Sequence, residues 1–261
     1  MFEIKGKVAL VTGGADGIGL SHIEALLHKG CKGVVIADIN QVKGEDETKR
    51  LEKKFGKNRV VFVKTDIADI ESFENAFKVT IRHFGNIDIL INNAGICNDS
   101  IWEKEIDINL KGTVNGMLLG LEKYLKQFKQ GNEAVILNTS SVCLIETMSV
   151  WPVYVSTKFG ILGLTKEWGN DVHYDRTKVK VVAICPGPTY TSISTDLGPG
   201  VINQEYEDIL ASILEELTNR IQSSDFVAKE AIKVIEQAPN GSLWIIEETK
   251  EAYQFILPSK I

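Results

Sequence analysis

The chain has 261 residues, 44% hydrophobic and 25% charged, enough to bury one large α/β core or two small ones. A net charge of −6, with no run of Lys and Arg, argues against a surface that tracks nucleic-acid phosphates. The four cysteines form no C-x-x-C pair, no apolar run reaches the roughly 18–20 residues a bilayer needs, and MFEIKGKVALVTGG does not read as a secretory leader, so a reduced, cytoplasmic protein without membrane span or metal site is expected.

Short Val/Ile/Leu runs alternate with longer amphipathic stretches, beginning with KVALVTG (7–13). That run leads into TGGADGIG (12–19), where Gly13, Gly17 and Gly19 leave room for a pyrophosphate at a helix start, whose N–H groups and dipole favour an anion. A purely structural strand-to-helix turn would also use glycines. The second run, GVVIAD (33–38), ends in Asp38, about twenty residues past the glycines, where a carboxylate accepts hydrogen bonds from ribose hydroxyls and repels a 2′-phosphate. Asp16 adds a second negative charge and no Arg or Lys stands beside Asp38, so NAD is preferred over NADP.

RVVFVKTD (59–66) ends in Asp66, placed to bond the adenine edge, and IDILINNAG (87–95) ends in NNAG. EAVILNTSS (133–141) ends in Ser141, VKVVAICPG (179–187) runs into PGPTYT (186–191), where Thr191 is placed to hold the nicotinamide carboxamide, and SLWIIE (242–247) is the last run. Near-continuous apolar runs joined by helices predict parallel strands buried on both faces, wound as one doubly wound sheet without a linker. The stretch 192–224, before the last strand, reads as a small cover over the site or as a packed surface excursion.

Tyr154 and Lys158 lie four apart in PVYVSTKFG, and Pro152 suits a first helical turn, so both side chains share one face. Lowering a tyrosine from about 10 to neutrality takes roughly 4 kcal/mol, which one charge about 4 Å away supplies at an effective dielectric near 20. Ser141, thirteen residues earlier, is positioned to orient a substrate hydroxyl, and Asn109 to hold a water linking Lys158 to solvent. Tyr154 then removes the hydroxyl proton as hydride leaves for nicotinamide. Tyr174 and Lys178 repeat the spacing, but where a helix must give way to a strand, and read as a solvated turn.

With TGGADGIG, NNAG, Asn109, Ser141 and Tyr154-x-x-x-Lys158 in order, the chain resembles the classical short-chain dehydrogenases/reductases over nearly its whole length. Within them, GNIDILINNAGICN, WEKEIDINLKG, PVYVSTKFGI and NGSLWIIEE resemble insect-type alcohol dehydrogenases and NAD-dependent 15-hydroxyprostaglandin dehydrogenases. The resemblance implies a Rossmann-type seven-stranded parallel sheet flanked by helices, one such domain spanning 1–261, and a catalytic set of Asn109, Ser141, Tyr154 and Lys158. It implies coenzyme contacts at Gly13, Asp16, Gly17, Ile18, Gly19, Asp38, Asp66, Ile67, Asn93, Ala94, Gly95, Tyr154, Lys158, Pro186, Gly187 and Thr191. Relatives are usually homodimers or tetramers joined through the helices that carry Asn109 and Tyr154. Trp151 stands where the prostaglandin enzymes have a substrate-binding glutamine, which favours a more apolar pocket; packing in the core is its other reading. Pro188 has no N–H to offer a carboxamide, so adjusted nicotinamide contacts are expected. The expected activity is NAD-dependent oxidation of a lipophilic secondary alcohol to its ketone, with Ser141, Trp151 and Tyr154 meeting the substrate. The alternatives are an NAD-binding sensor or storage protein without turnover, and an NADPH-dependent carbonyl reductase.

Overall fold

The computed structural model describes residues 1–146, 148–195 and 200–257, the side chains of 194 and 195 excepted. Its strands are β1 (Val8–Thr12), β2 (Gly33–Asp38), β3 (Val60–Lys64), β4 (Ile89–Asn92), β5 (Ala134–Thr139), β6 (Val179–Pro186), β7 (Thr189–Tyr190), β8 (Gln222–Ser223), β9 (Leu243–Ile246) and β10 (Tyr253–Phe255). The main sheet has the order β10-β9-β6-β5-β4-β1-β2-β3. Seven of these strands run parallel, as expected, and β10 adds an eighth, antiparallel to β9. Three residues, two of them exposed, carry too little apolar pattern for β10 to show in the sequence.

Alternation along each strand sends successive side chains to opposite faces. Ala9, Val11, Val34 and Ile36 join Ile23, Leu26, Val227 and Ile235 on one face. Val8, Leu10, Val35 and Ala37 join Phe73, Phe77, Met117 and Leu121 on the other. Helices therefore cover both sides, which is why the runs read as continuously apolar. The chain winds from β1 out to β3, then returns to lay β4 on the other flank of β1. This reversal opens a crevice beyond the carboxyl ends of β1 and β4, where open α/β sheets bind ligands.

The helix through residues 102–128 contains two π segments, Asp107–Lys111 and Leu119–Tyr124; the first carries Asn109. Such bulges are frequent at functional sites. The stretch 192–224 contains the helix Gln204–Asn219, whose Tyr206, Leu210, Ile213 and Leu217 pack on Val150, Trp151 and Val201. It is tied at its base by parallel pairing of β7 with β8 and by Arg220, which bonds Glu146, Glu247 and Glu248. The expected cover at 192–224 is thus a packed wall across the described residues; 196–199, including the start of its Gly-Pro-Gly turn, lie outside them. No helix among the described residues is long and apolar enough to cross a membrane.

Candidate active site

The glycine turn is shaped by contacts that only glycine permits. Gly13 and Gly17 have φ of 62° and 51°, a region costly for a side chain. A Cβ on Gly19 would stand 2.1 Å from the Gly13 carbonyl oxygen. Asp16 caps the helix Gly17–His28 by accepting from the Gly17 N–H at 2.7 Å. Burial raises its carboxyl, but the Lys43 ammonium and the Gly17 N–H outweigh this and hold it below the usual range. Asp38 accepts from the Ala15 N–H at 3.0 Å and the Asn40 N–H at 2.9 Å, locking the end of β2 against the turn.

Lys43 corrects one expectation. No cation stands beside Asp38 in sequence, yet the helix Gln41–Phe55 brings Lys43 into the cleft wall with Asp38, its Nζ 2.6 Å from Asp16 Oδ2. Asp16 is therefore ion-paired rather than a bare second repulsive charge.

Thr12 clamps the turn to NNAG. Its hydroxyl accepts from the Asn93 and Ala94 N–H groups at 2.9 and 3.1 Å, and the Asn93 amide returns a hydrogen bond to the Thr12 carbonyl at 3.1 Å. Asp66 accepts from the Ala68 N–H, and the Ile67 carbonyl accepts from the Asn115 amide, which fixes the end of β3. Gly187 donates to the Ile246 carbonyl, and a Cβ on Gly17 would meet the Thr191 side chain at about 3.1 Å, so the segment after β6 closes over the glycine turn.

These pieces line one cavity of about 470 Å³, within the range of small-molecule sites. Gly13, Asp16, Gly17, Ile18, Asp38, Asp66, Ile67, Asn93, Ala94, Gly95, Pro186, Gly187 and Thr191 form its walls, with Ser141, Trp151, Tyr154 and Lys158. Gly19 and Asn109 stand behind the wall. Asn109 is buried, accepting from the Ile96 N–H and donating to the Ile96 carbonyl, both at 2.8 Å, and to Thr157 Oγ1 at 3.2 Å. Its amide is thus occupied in tying the chain after NNAG to the helix Pro152–Trp168, rather than held out for the expected water.

Lys158 is buried, donates to the Thr139 carbonyl at 3.1 Å, and lies 5.5 Å from the Tyr154 ring centroid. Burial lowers its ammonium. Burial also pushes the Tyr154 phenol well above its ordinary value, with the Cys97 and Cys143 thiols and Glu105 adding to the rise and the Ser141 hydroxyl opposing it. Burial thus works against the help expected from Lys158 and from an oxidised nicotinamide ring, because enclosing a phenolate in an apolar recess is costly. Trp151 lines the cavity while packing with Val150 and Val201.

The second tyrosine–lysine pair lies outside the cavity. The helix Asp171–Thr177 forms after all, capped by Asn170 and closed by Lys178 in the left-handed region. Tyr174 donates to Glu133 at 2.6 Å, which pushes its phenol up to about 12, and Lys178 pairs with Asp175. Five contributors were missed in the sequence: Thr12, Lys43, Thr139 and the buried acids Asp99 and Glu105. The partners of the first four lie 19 to 82 residues away, and Glu105 meets Asn98 across seven positions from within a helix, so no local pattern marks them.

Residues 7–201 match the family described as short chain dehydrogenase. The chain belongs to the short-chain dehydrogenase family. This short-chain dehydrogenase is 35% identical over 255 residues to 15-hydroxyprostaglandin dehydrogenase [NAD(+)] of Macaca fascicularis, covering 95% of this chain and 93% of that one. It is 31% identical over 243 residues to alcohol dehydrogenase 2 of Ceratitis rosa, covering 93% and 92%. In fold it is similar to a short chain dehydrogenase/reductase from Burkholderia phymatum solved in complex with NAD, with a TM-score of 0.78 at 22% identity, covering 90% of this chain and 87% of that one.

Proposed function

We propose that this chain is an NAD-dependent alcohol dehydrogenase that oxidises a lipophilic secondary alcohol to its ketone, with Tyr154 as the proton acceptor. The observation that carries the reading is the meeting of Ser141, Tyr154 and Lys158 in the same cavity whose far end is built from the glycine turn and Asp38. A dinucleotide fits the residues present: Gly13 and Gly17 line the cavity with no side chain to fill it, and Asp38 ends β2 beside the turn.

Gly13 to Gly19 and the N-terminus of the helix Gly17–His28 would hold the pyrophosphate, Asp38 the adenosine ribose, Asp66 and Ile67 the adenine, and Asn93 to Gly95 with 186–191 the nicotinamide half. Bound NAD+ supplies the hydride acceptor and a positive charge beside the phenol, adding to that of Lys158. Ser141 orients the substrate hydroxyl, and Tyr154 takes its proton as the C–H bond breaks. Lys158 stabilises the phenolate, and Asn109 holds the chain after NNAG against the Tyr154 helix. Val142, Met148, Trp151, Leu217 and Ile221 give the carbon skeleton an apolar wall.

A cytoplasmic homodimer completes the proposal. Trp102 and Phe159, 51% and 47% exposed on the helices that bear Asn109 and Tyr154, supply an apolar face for a second copy. The test follows NADH absorbance over a panel of secondary alcohols for the wild type and Tyr154→Phe, beside equilibrium titrations of NADH and NADPH. Turnover by Tyr154→Phe equal to the wild type, or tighter NADPH binding, would overturn the reading.

A further inference from the structure

The helix that carries Tyr154 is capped from outside its own sequence. Its N-cap residue, Trp151, makes no side-chain capping bond, and Pro152 at the first position has no N–H. The next two N–H groups, of Val153 and Tyr154, both donate to the Asp99 carboxylate, at 2.8 and 3.0 Å. Asp99 opens the short 3-10 helix Asp99–Ile101 after NNAG and is fully buried. The first turn, and with it the root of the tyrosine side chain, is therefore held by one carboxylate.

That carboxylate has a neighbour of its own kind. Glu105 is also fully buried; its Oε1 accepts from the Asn98 N–H at 2.8 Å, while its Oε2 has no donor facing it. The donor to its Oε1, Asn98, is the residue just before Asp99, which sets the second buried carboxylate beside it and lets it act on Glu105. Two carboxylates in contact and out of water are satisfied when one proton lies between them. Both Asp99 oxygens already accept backbone N–H groups at the positive end of a helix, so the open oxygen of the pair is Glu105 Oε2. The proton then belongs on Glu105, and the unpartnered Oε2 becomes a donor.

We propose that Asp99 and Glu105 share one proton as a positioning device for Tyr154, the protonated Glu105 holding Asp99 against the first turn of the tyrosine helix. Its catalytic meaning rests on the proposed role of Tyr154; the device itself does not. The other titratable groups acting on the pair are the Lys158 ammonium, the Tyr154 phenol and the Cys97 thiol. Burial, with Asp99 adding to it, pushes the Glu105 carboxyl up to about 7 against the opposing pull of the Asn98 N–H and Lys158. Near neutrality and above, loss of that proton sets two buried charges against each other and loosens the anchor on Val153 and Tyr154.

The test is NMR of the full chain labelled with 13C and 15N. We expect one glutamate carboxyl with a midpoint near 7, and backbone amide shifts of Val153 and Tyr154 that follow the same midpoint. In Glu105→Gln, which keeps a donor but cannot titrate, both should vanish. The ratio of kcat for Glu105→Gln to that of the wild type should rise several-fold, on the order of fivefold, from about pH 6 to about pH 8, where a purely structural role gives a flat ratio. A wild-type protein with no glutamate titrating between about pH 6 and 8, or with Val153 and Tyr154 amides indifferent to it, overturns the proposal. Absence of turnover on every alcohol would sink the dehydrogenase reading and leave the amide titration to decide the device.

Discussion

Lys158 donates its ammonium proton to the carbonyl of Thr139, the last residue of β5, and thereby spans from the tyrosine helix to the strand end that precedes Ser141. One buried side chain thus ties together the two elements that present Tyr154 and Ser141. Replacing it by Met removes the charge and leaves the Thr139 carbonyl without this donor. We expect kcat for alcohol oxidation to fall about 10²–10⁴-fold and the pH at which the rate is half-maximal to rise, because the phenolate loses its nearest cation. Lys158→Arg should not restore activity, since the planar guanidinium does not fit a site shaped for a compact ammonium. Initial rates against pH check both outcomes.

Gly19→Ala tests the coenzyme end. The added Cβ would fall 2.1 Å from the Gly13 oxygen and 2.7 Å from the Asn93 amide nitrogen, and the first of these is backbone that cannot rotate away. Either the turn opens or the helix start shifts. NADH affinity should fall at least about tenfold, and stability by roughly 1–3 kcal/mol. Fluorescence titration and urea unfolding report the two effects separately.

Asp38 should govern the choice between coenzymes. Its two oxygens already accept from Ala15 and Asn40, so the carboxylate stands fixed at the cavity wall, and the nearby Lys43 is paired with Asp16. In Asp38→Ser the charge that repels a 2′-phosphate disappears. The ratio of NADPH to NADH dissociation constants should fall by about tenfold or more, read by equilibrium titration.

His22 predicts acid sensitivity far from the chemistry. It is fully buried in the first helix with neither ring nitrogen bonded, and burial lowers its imidazolium from 6.5 to about 3. A base with a depressed folded value contributes stability above its unfolded value, and loses it as pH falls from 6.5 toward 3. Between pH 7 and pH 5 this amounts to roughly 2 kcal/mol. In His22→Leu that loss should be absent, and stability at pH 7 equal or greater because no unpaired ring nitrogen remains buried. Urea unfolding at the two pH values gives the difference directly.

The parallel strands, the glycine turn and the Tyr154–Lys158 spacing were legible because each leaves a local mark: a run of β-branched residues, a cluster lacking Cβ atoms, a four-residue helical repeat. What escaped has no local mark. Asp99 reaches the tyrosine helix across more than fifty positions, Thr12 reaches NNAG across more than eighty, and Lys43 arrives at the rim of the cleft only because a helix carries it to Asp16. The burial that opposes ionisation of Tyr154 has no local mark either, since enclosure depends on everything folded around the phenol rather than on the lysine one turn away. The helix Asp171–Thr177 was missed because Lys178 adopts a left-handed conformation that lets it end abruptly before β6.

The short pairing of β7 with β8, locked by Arg220, has one more implication. It brings the two ends of the 192–221 excursion together, so that the stretch leaves and rejoins the scaffold at one place. The surfaces proposed to grip the coenzyme belong mostly to strand ends elsewhere in the chain, whereas Leu217 and Ile221, in the wall proposed for the carbon skeleton, belong to this loop and its far stem. Swapping the excursion between relatives should transplant substrate preference and leave the nucleotide grip where it was.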